Sequence, residues 1–390
     1  MNRFIKKTFF ILPVLILFSC ENFFWPVKDS DSDSSVKTVS TANRTIRIPG
    51  DERDADFVMI DVNIEGGIDE IILGEDLIEV PYRTTVSSFS LARYETSYNT
   101  WYEVLQWANS HGYKIVKTGR EGEYGAVGSQ TAMNTGKPKF VEMPVCGITW
   151  RDAMVWCNAL SEMCGLTPVY YTDANFKTPI RDSTGPDSKE LSEYLIQPGK
   201  VDNPYVNKNA NGYRLAYREE WEYAARKKKD GGFISGRNVS GDDSGAMFGP
   251  TAIETMNGIS FPVSKIYENY IWWAKNSSGG CPKTASGYDD STTKLQEKNS
   301  SINGLRTHLS GGKLPNHLGF YDMSGNVPEW CFDYNTTYGS TNKFHTMRSY
   351  KGGDQVNASY EGNPVHCSGN TGGQLVRECG GFRIAQNKPM

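Results

Sequence analysis

The stretch Asp322-Met323-Ser324-Gly325-Asn326-Val327-Pro328-Glu329-Trp330-Cys331 places two carboxylates on either side of a Ser-Gly-Asn turn. Glycine and asparagine accept the left-handed backbone of a sharp turn, so Asp322, Glu329 and the carbonyls between them can converge on one point. A hard cation such as Ca2+ takes mixed carboxylate and carbonyl oxygens of this kind. The alternative is a metal-free turn in which both acids accept hydrogen bonds from loop amides.

Other chemistry finds less support. The 5 histidines, His111, His308, His317, His345 and His366, show no helical or metal-ligand spacing. No Gly-x-Ser-x-Gly elbow recruits a nucleophilic serine. Of the 8 cysteines, Cys20 is read as a lipidation site, and the odd remainder cannot all pair within the chain. Cys157 and Cys164 read as small core residues on one helix face, and Cys367 with Cys379 could staple the terminal loop. A net charge of -4 gives no footprint for nucleic acid.

The elements that must position these residues follow from period and punctuation. Thr149 caps a helix over Trp150 to Cys164, with Ala153, Trp156, Cys157 and Leu160 at helical spacing and Gly165 at its end. A second helix spans Arg218 to Lys229 and ends in Lys227-Lys228-Lys229, read as a solvated terminus. Phe57 to Ile60 and Val86 to Leu91 read as short strands separated by a turn at Gly66-Gly67. Tyr170 to Asn211 and Gly279 to Asn303 lack periodicity and read as surface loops.

The N-terminus carries an address. Arg3, Lys6 and Lys7 precede an apolar run from Phe9 to Phe18, and Leu17-Phe18-Ser19-Cys20 resembles a lipoprotein cleavage box. Residues 1–20 are therefore expected to be a signal peptide, with Cys20 lipidated and the chain anchored to the cell envelope, at the outer membrane or cell surface. Residues 21–55, with Asp29 to Ser35 free of apolar side chains, are expected to form a disordered tether, and residues 56–390 one large domain.

Five motifs in order carry a family resemblance. Asp322 to Trp330 is similar to the hallmark of the formylglycine-generating-enzyme family, also called sulfatase-modifying factors. Arg93-Tyr94-Glu95-Thr96-Ser97-Tyr98-Asn99, Pro144 to Trp150, Gly212-Tyr213-Arg214-Leu215 leading into Glu220 to Arg226, and Gly381-Phe382-Arg383 match further family landmarks. The resemblance implies an α+β domain of C-type lectin fold, with short twisted strands, two main helices and much irregular loop. Pro328 stands where the family has tryptophan, and Asp354-Gln355 where it has Ser-Trp.

In the family's enzymes two cysteines ahead of the terminal Gly-Phe-Arg bind copper. Here Ser359 to His366 contains none, so no copper and no catalytic residues are expected. A structural Ca2+ is implied at the positions matching Asp322, Gly325, Val327 and Glu329, the middle two through backbone oxygens; a second site would need Asn276. Between the hallmark and Gly381, Phe332, Tyr334, Asp354, Gln355, Asn357, Tyr360, Glu361, His366, Ser368, Asn370, Gln374, Arg377 and Glu378 mix aromatic, amide, hydroxyl and charged groups as binding loops do. Domains of this type also serve as receptors whose C-terminal stretch is varied by diversity-generating retroelements. The expectation is thus a monomeric, surface-displayed receptor for a protein ligand, variable over about residues 328–380. A divergent oxidase or accessory enzyme of the same fold is the alternative.

Overall fold

Ile60, Val62 and Ile64 are buried while Asp61 and Asn63 between them are not, the alternation of a strand with one face on a core. The computed structural model describes residues 36–50, 54–74, 82–122, 134–186, 197–246, 253–256, 259–273, 276–277, 306–334, 347–353, 367–371 and 380–388. In chain order the strands are β1 (Val39–Ile46), β2 (Phe57–Ile64), β3 (Ile68–Leu73), β4 (Tyr82–Ser87), β5 (Phe89–Ala92), β6 (Arg120–Glu121), β7 (Val145–Cys146), β8 (Tyr170–Tyr171), β9 (Tyr205–Val206), β10 (Tyr213–Leu215), β11 (Ile253–Met256), β12 (Ile259–Pro262), β13 (Glu329–Tyr334), β14 (Met347–Lys351), β15 (Cys367–Thr371), β16 (Gly381–Phe382) and β17 (Ile384–Asn387). The α-helices among the described residues are α1 (Tyr98–Ser110), α2 (Trp150–Met163) and α3 (Arg218–Arg226).

Two sheets organise the molecule. The first has the order β1-β2-β5-β17-β10, so the C-terminal strand lies inside it. The second has the order β15-β14-β13-β16, with β13 and β16 parallel. This α+β arrangement of small sheets, few helices and much irregular chain agrees with the fold class read from the sequence.

Local chemistry sets the helix ends. Thr149 and Asp152 form a reciprocal capping box at the start of α2. At its other end Leu166 N–H reaches back to the Ser161 carbonyl (2.8 Å), with Gly165 at φ 69°. Helix α1 begins where the Ser97 hydroxyl accepts from Thr100 N–H, and buries Trp101, Val104, Leu105 and Ala108 at helical spacing. In the core, Trp101 and Trp156 stack at 5.4 Å and 8°, and Phe382 sets its edge against both at 5.9 and 5.4 Å. Gly381 precedes it because an added Cβ would lie 2.6 Å from the Val145 carbonyl oxygen. The last motif is thus wedged between α1, α2 and β7.

Several expectations need correction. The tether cannot extend over residues 21–55, because β1 pairs along its whole length with β2, from Val39 opposite Ile64 to Ile46 opposite Phe57. Its side chains are mostly polar, so backbone pairing rather than an apolar stripe holds it, and composition does not reveal it. Helix α1 was not foreseen. Gly66-Gly67 joins β2 to β3, not to the strand at residues 86–91. The lysine run is a solvated terminus only in part: Lys228 is half-buried and Lys229 exposed, but Lys227 is buried, and its ammonium donates to Asp69 (2.7 Å) and to the Gly231 carbonyl (2.6 Å). Cys20, most of the tether and the loop at 279–303 lie outside the described residues.

Candidate functional site

Glu329 opens β13 and Arg383 sits between β16 and β17, so the parallel pairing of β13 with β16 brings the hallmark and the terminal motif together. Arg383 donates through Nε to Glu329 Oε2 (3.0 Å) and through Nη2 to Oε1 (2.7 Å), and the Trp221 indole donates to Oε2 (2.7 Å). Arg383 also donates to the carbonyls of Ala92 (3.1 Å), Arg93 (2.8 Å) and Tyr321 (2.8 Å). Both charged side chains are fully buried, which the bidentate geometry and the saturated donor set permit.

The turn before β13 is built on left-handed backbone: Asp322 at φ 54°, Gly325 at 77° and Asn326 at 62°. A Cβ on Gly325 would meet the Trp272 carbonyl oxygen at 2.0 Å, so only glycine fits. Asn326 and Glu95 fasten the turn from inside. The Asn326 amide donates to Glu95 (2.7 Å), and Glu95 also accepts from the Ser310 hydroxyl (2.8 Å) and Val327 N–H (3.1 Å). Burial, and after it the neighbouring carboxylates of Asp322 and Glu329, push the Glu95 carboxyl well above the usual range. Asp322 takes Gly311 N–H on Oδ2 (2.6 Å), its Oδ1 has no partner, and burial lifts its carboxyl to about 6.

These positions do not fit a calcium cage as they stand. Glu329 has both oxygens filled by Arg383 and Trp221, so a cation there would have to displace a guanidinium. Among the described residues no group of three or more His, Cys, Asp or Glu could hold a metal. Asn276, the candidate for a second site, is spent on its own turn, accepting from Trp273 N–H (2.9 Å) and donating to the Ile271 carbonyl (3.0 Å).

The surface expected to bind is carried by the second sheet. Phe332 and Tyr334 lie on β13, half-buried in an aromatic cluster. Phe332 stacks on Tyr170 (5.3 Å, 16°) and meets Tyr217 edge-on (5.6 Å). The Tyr334 hydroxyl donates to the Asp202 carbonyl (2.8 Å). The Arg348 guanidinium lies between the rings of Trp150 (3.6 Å) and Tyr334 (3.8 Å) and donates to the Phe332 carbonyl (2.7 Å). On β15, Ser368 stands opposite Tyr350 and Asn370 opposite Arg348 in the strand register. Asp354, Gln355, Asn357, Tyr360, Glu361, His366, Gln374, Arg377 and Glu378 lie outside the described residues. Sequence reasoning missed Arg348 and Asp202, whose partners are distant in the chain. It also missed Glu95 as a fastener, although Glu95 stands inside a quoted motif.

The family model of the sulfatase-modifying factor enzyme 1-like domain matches residues 41–388. The chain belongs to this family. It is 29% identical over 274 residues to the chaperone protein LppX of Paenibacillus barcinonensis, a match that spans 70% of this chain and 71% of that one. Among solved structures, Treponema denticola variable protein 1 superposes with a TM-score of 0.54 at 20% identity, over 89% of this chain and 99% of that one. The structure of CarF does so with a TM-score of 0.54 at 22% identity, over 83% and 97%. These two likenesses show a shared fold.

Among the cysteines whose side chains are described, Cys157 and Cys164 are free thiols. Burial raises the Cys157 thiol far above its ordinary value and the Cys164 thiol to about 11, so neither is a thiolate at neutral pH.

Proposed function

We propose that this sulfatase-modifying-factor domain is a receptor-like lipoprotein of the cell envelope, anchored through Cys20, that binds a protein ligand with its C-terminal face. The observation that carries the reading is how the second sheet is held. Glu329 is fixed by Arg383, and Lys351 on β14 by Glu222 on α3 (3.0 Å), with all four side chains buried. The connections at residues 335–346, 352–366 and 372–380 all leave that sheet, so changes of sequence there leave its buried anchors in place. The fold shared with a protein called variable supports the further proposal that a retroelement diversifies this stretch.

Sequencing the flanking DNA tests the diversification. An imperfect repeat of the terminal codons differing at adenines, near a reverse-transcriptase gene, is expected; a locus without either sinks that component. Anchoring is tested by metabolic labelling with palmitate, which Cys20→Ser should abolish. The reading is of a non-catalytic protein, and peptide-thiol oxidation by purified protein supplied with copper would overturn it.

A second reading rests on the relative named a chaperone. If this chain acts likewise, purified protein suppresses aggregation of a heat-denatured test enzyme at equimolar ratio. A receptor with one fixed partner does not.

A further inference from the structure

A cleft of about 160 Å³ opens beside β2, the β5–α1 connection and the segment that leads into β7. Phe57, Ala92 and Ile384 give it apolar walls, and Tyr94, Thr96 and Glu142 give it polar ones. Thr96 is only 3% exposed, and its hydroxyl has no hydrogen-bond partner. No hydrogen bond or ion pair engages the Glu142 carboxylate among the described residues, while its backbone carbonyl accepts from Ser310 N–H (3.0 Å). Glu95 also lines the cleft, but its oxygens are committed to Ser310, Asn326 and Val327 N–H. Asp56 lines it too and accepts from Ile48 N–H (2.9 Å).

Among the described lining residues there is no lysine, arginine or histidine. Arg93, next in sequence, is spent on the faces of Tyr94 (5.6 Å) and Tyr321 (5.1 Å). The uncommitted groups are therefore a carboxylate and two hydroxyls, set against apolar walls, with no cation to neutralise the acid. Glu142 is exposed at the mouth of the cleft, and the partial desolvation of its carboxyl there raises it above its ordinary range, which a bound cation would reverse.

We propose that this cleft binds an alkylammonium group, carried either by a free small amine or by a lysine side chain of a protein partner. The ammonium offers three donors to Glu142, Thr96 and Tyr94, and its methylenes cover Phe57, Ala92 and Ile384. At about 30 Å³ per water the cleft holds roughly five waters, the space of a short aminoalkyl chain. A neutral alcohol of equal length would bury the same methylenes but leave the carboxylate unpaired.

Calorimetric titration of the whole chain with n-butylammonium chloride tests this, with 1-butanol as the neutral control. Saturable amine binding is expected, weakened about tenfold or more by Glu142→Gln and several-fold by Thr96→Val, with thermal unfolding unchanged in Glu142→Gln. Val141→Lys, at a mouth position 48% exposed, should supply a tethered ammonium and block added amine. A parallel titration with Nα-acetyl-lysine N-methylamide separates the sources: tighter binding than butylammonium assigns a partner's lysine, weaker binding a free amine. No saturable binding to wild type, equal binding of butanol, or an unaltered Glu142→Gln isotherm would overturn the proposal.

Discussion

Glu329 and Arg383, 54 positions apart, are locked by two hydrogen bonds and fully buried, so each supplies the opposite charge that offsets the other's loss of water. Glu329→Gln keeps an acceptor for Trp221 but leaves a buried guanidinium uncompensated. It should destabilise the domain by about 3–5 kcal/mol in urea unfolding, and Arg383→Lys should recover little of the loss of Arg383→Ala. Equal stabilities for all three variants and wild type would show that the lock is dispensable.

Gly325 makes a sharper prediction. Gly325→Ala meets both a backbone at φ 77° and the Trp272 carbonyl oxygen at 2.0 Å, so the turn must move. A loss of about 2 kcal/mol or more is expected, against about 1 kcal/mol for Gly67→Ala, which has the positive φ but whose added methyl meets nothing within 4 Å.

Calcium removal should do little. Because the Glu329 oxygens are occupied by Arg383 and Trp221, excess EGTA is expected to leave the thermal midpoint unchanged. A fall of several degrees, restored by added Ca2+, would mean that the turn rearranges to admit the ion.

Acid should stabilise the protein near neutrality. At the start of α3, Asp333 accepts from Arg218 N–H (2.6 Å), and burial, then the Asp333 charge, raise the Glu219 carboxyl from 4.5 to about 7. Glu220 adds to the repulsion, and Arg214 opposes it. A group with raised folded pKa contributes stability that is fully present below its unfolded pKa and lost as pH climbs through the folded one. Unfolding free energy should therefore fall between pH 4.5 and 7 on account of Glu219, and Glu219→Gln should flatten that slope. A slope unchanged in this variant would place the titration elsewhere.

Truncation tests the corrected boundary. Deleting residues 1–35 should leave the thermal midpoint intact, whereas deletion through residue 48 strips β1 from β2 and should lower it by several degrees.

Fold and motif positions were legible because landmarks such as Gly381-Phe382-Arg383 combine residues whose reasons are local: a glycine where backbones touch, an aromatic for a wedge, a charge for a lock. Helix α1 carries a helical signal in Ser97, Trp101, Val104 and Leu105, but its first residues, Tyr98 and Asn99, also belong to a family motif whose pattern is not helical in period. Strand β1 was not, since Ser40, Thr41, Asn43 and Thr45 resemble a polar linker until β2 is beside them. The cluster of Trp150, Tyr170, Asp202, Phe332 and Arg348 is assembled from five separate segments, and no spacing announces it. The same distance in sequence hid the identity of the Glu329 partner, which the turn alone suggested was a metal.

Strand β17 occupies an interior place between β5 and β10, although it follows every other described strand in sequence. Without Ile384–Asn387 the first sheet falls into β1-β2-β5 and a separate β10, each with an open edge. A shift of reading frame in the stretch before Gly381 therefore removes the strand that joins the two parts, whereas a substitution there leaves it in place. The fold separates changes of residue from changes of frame.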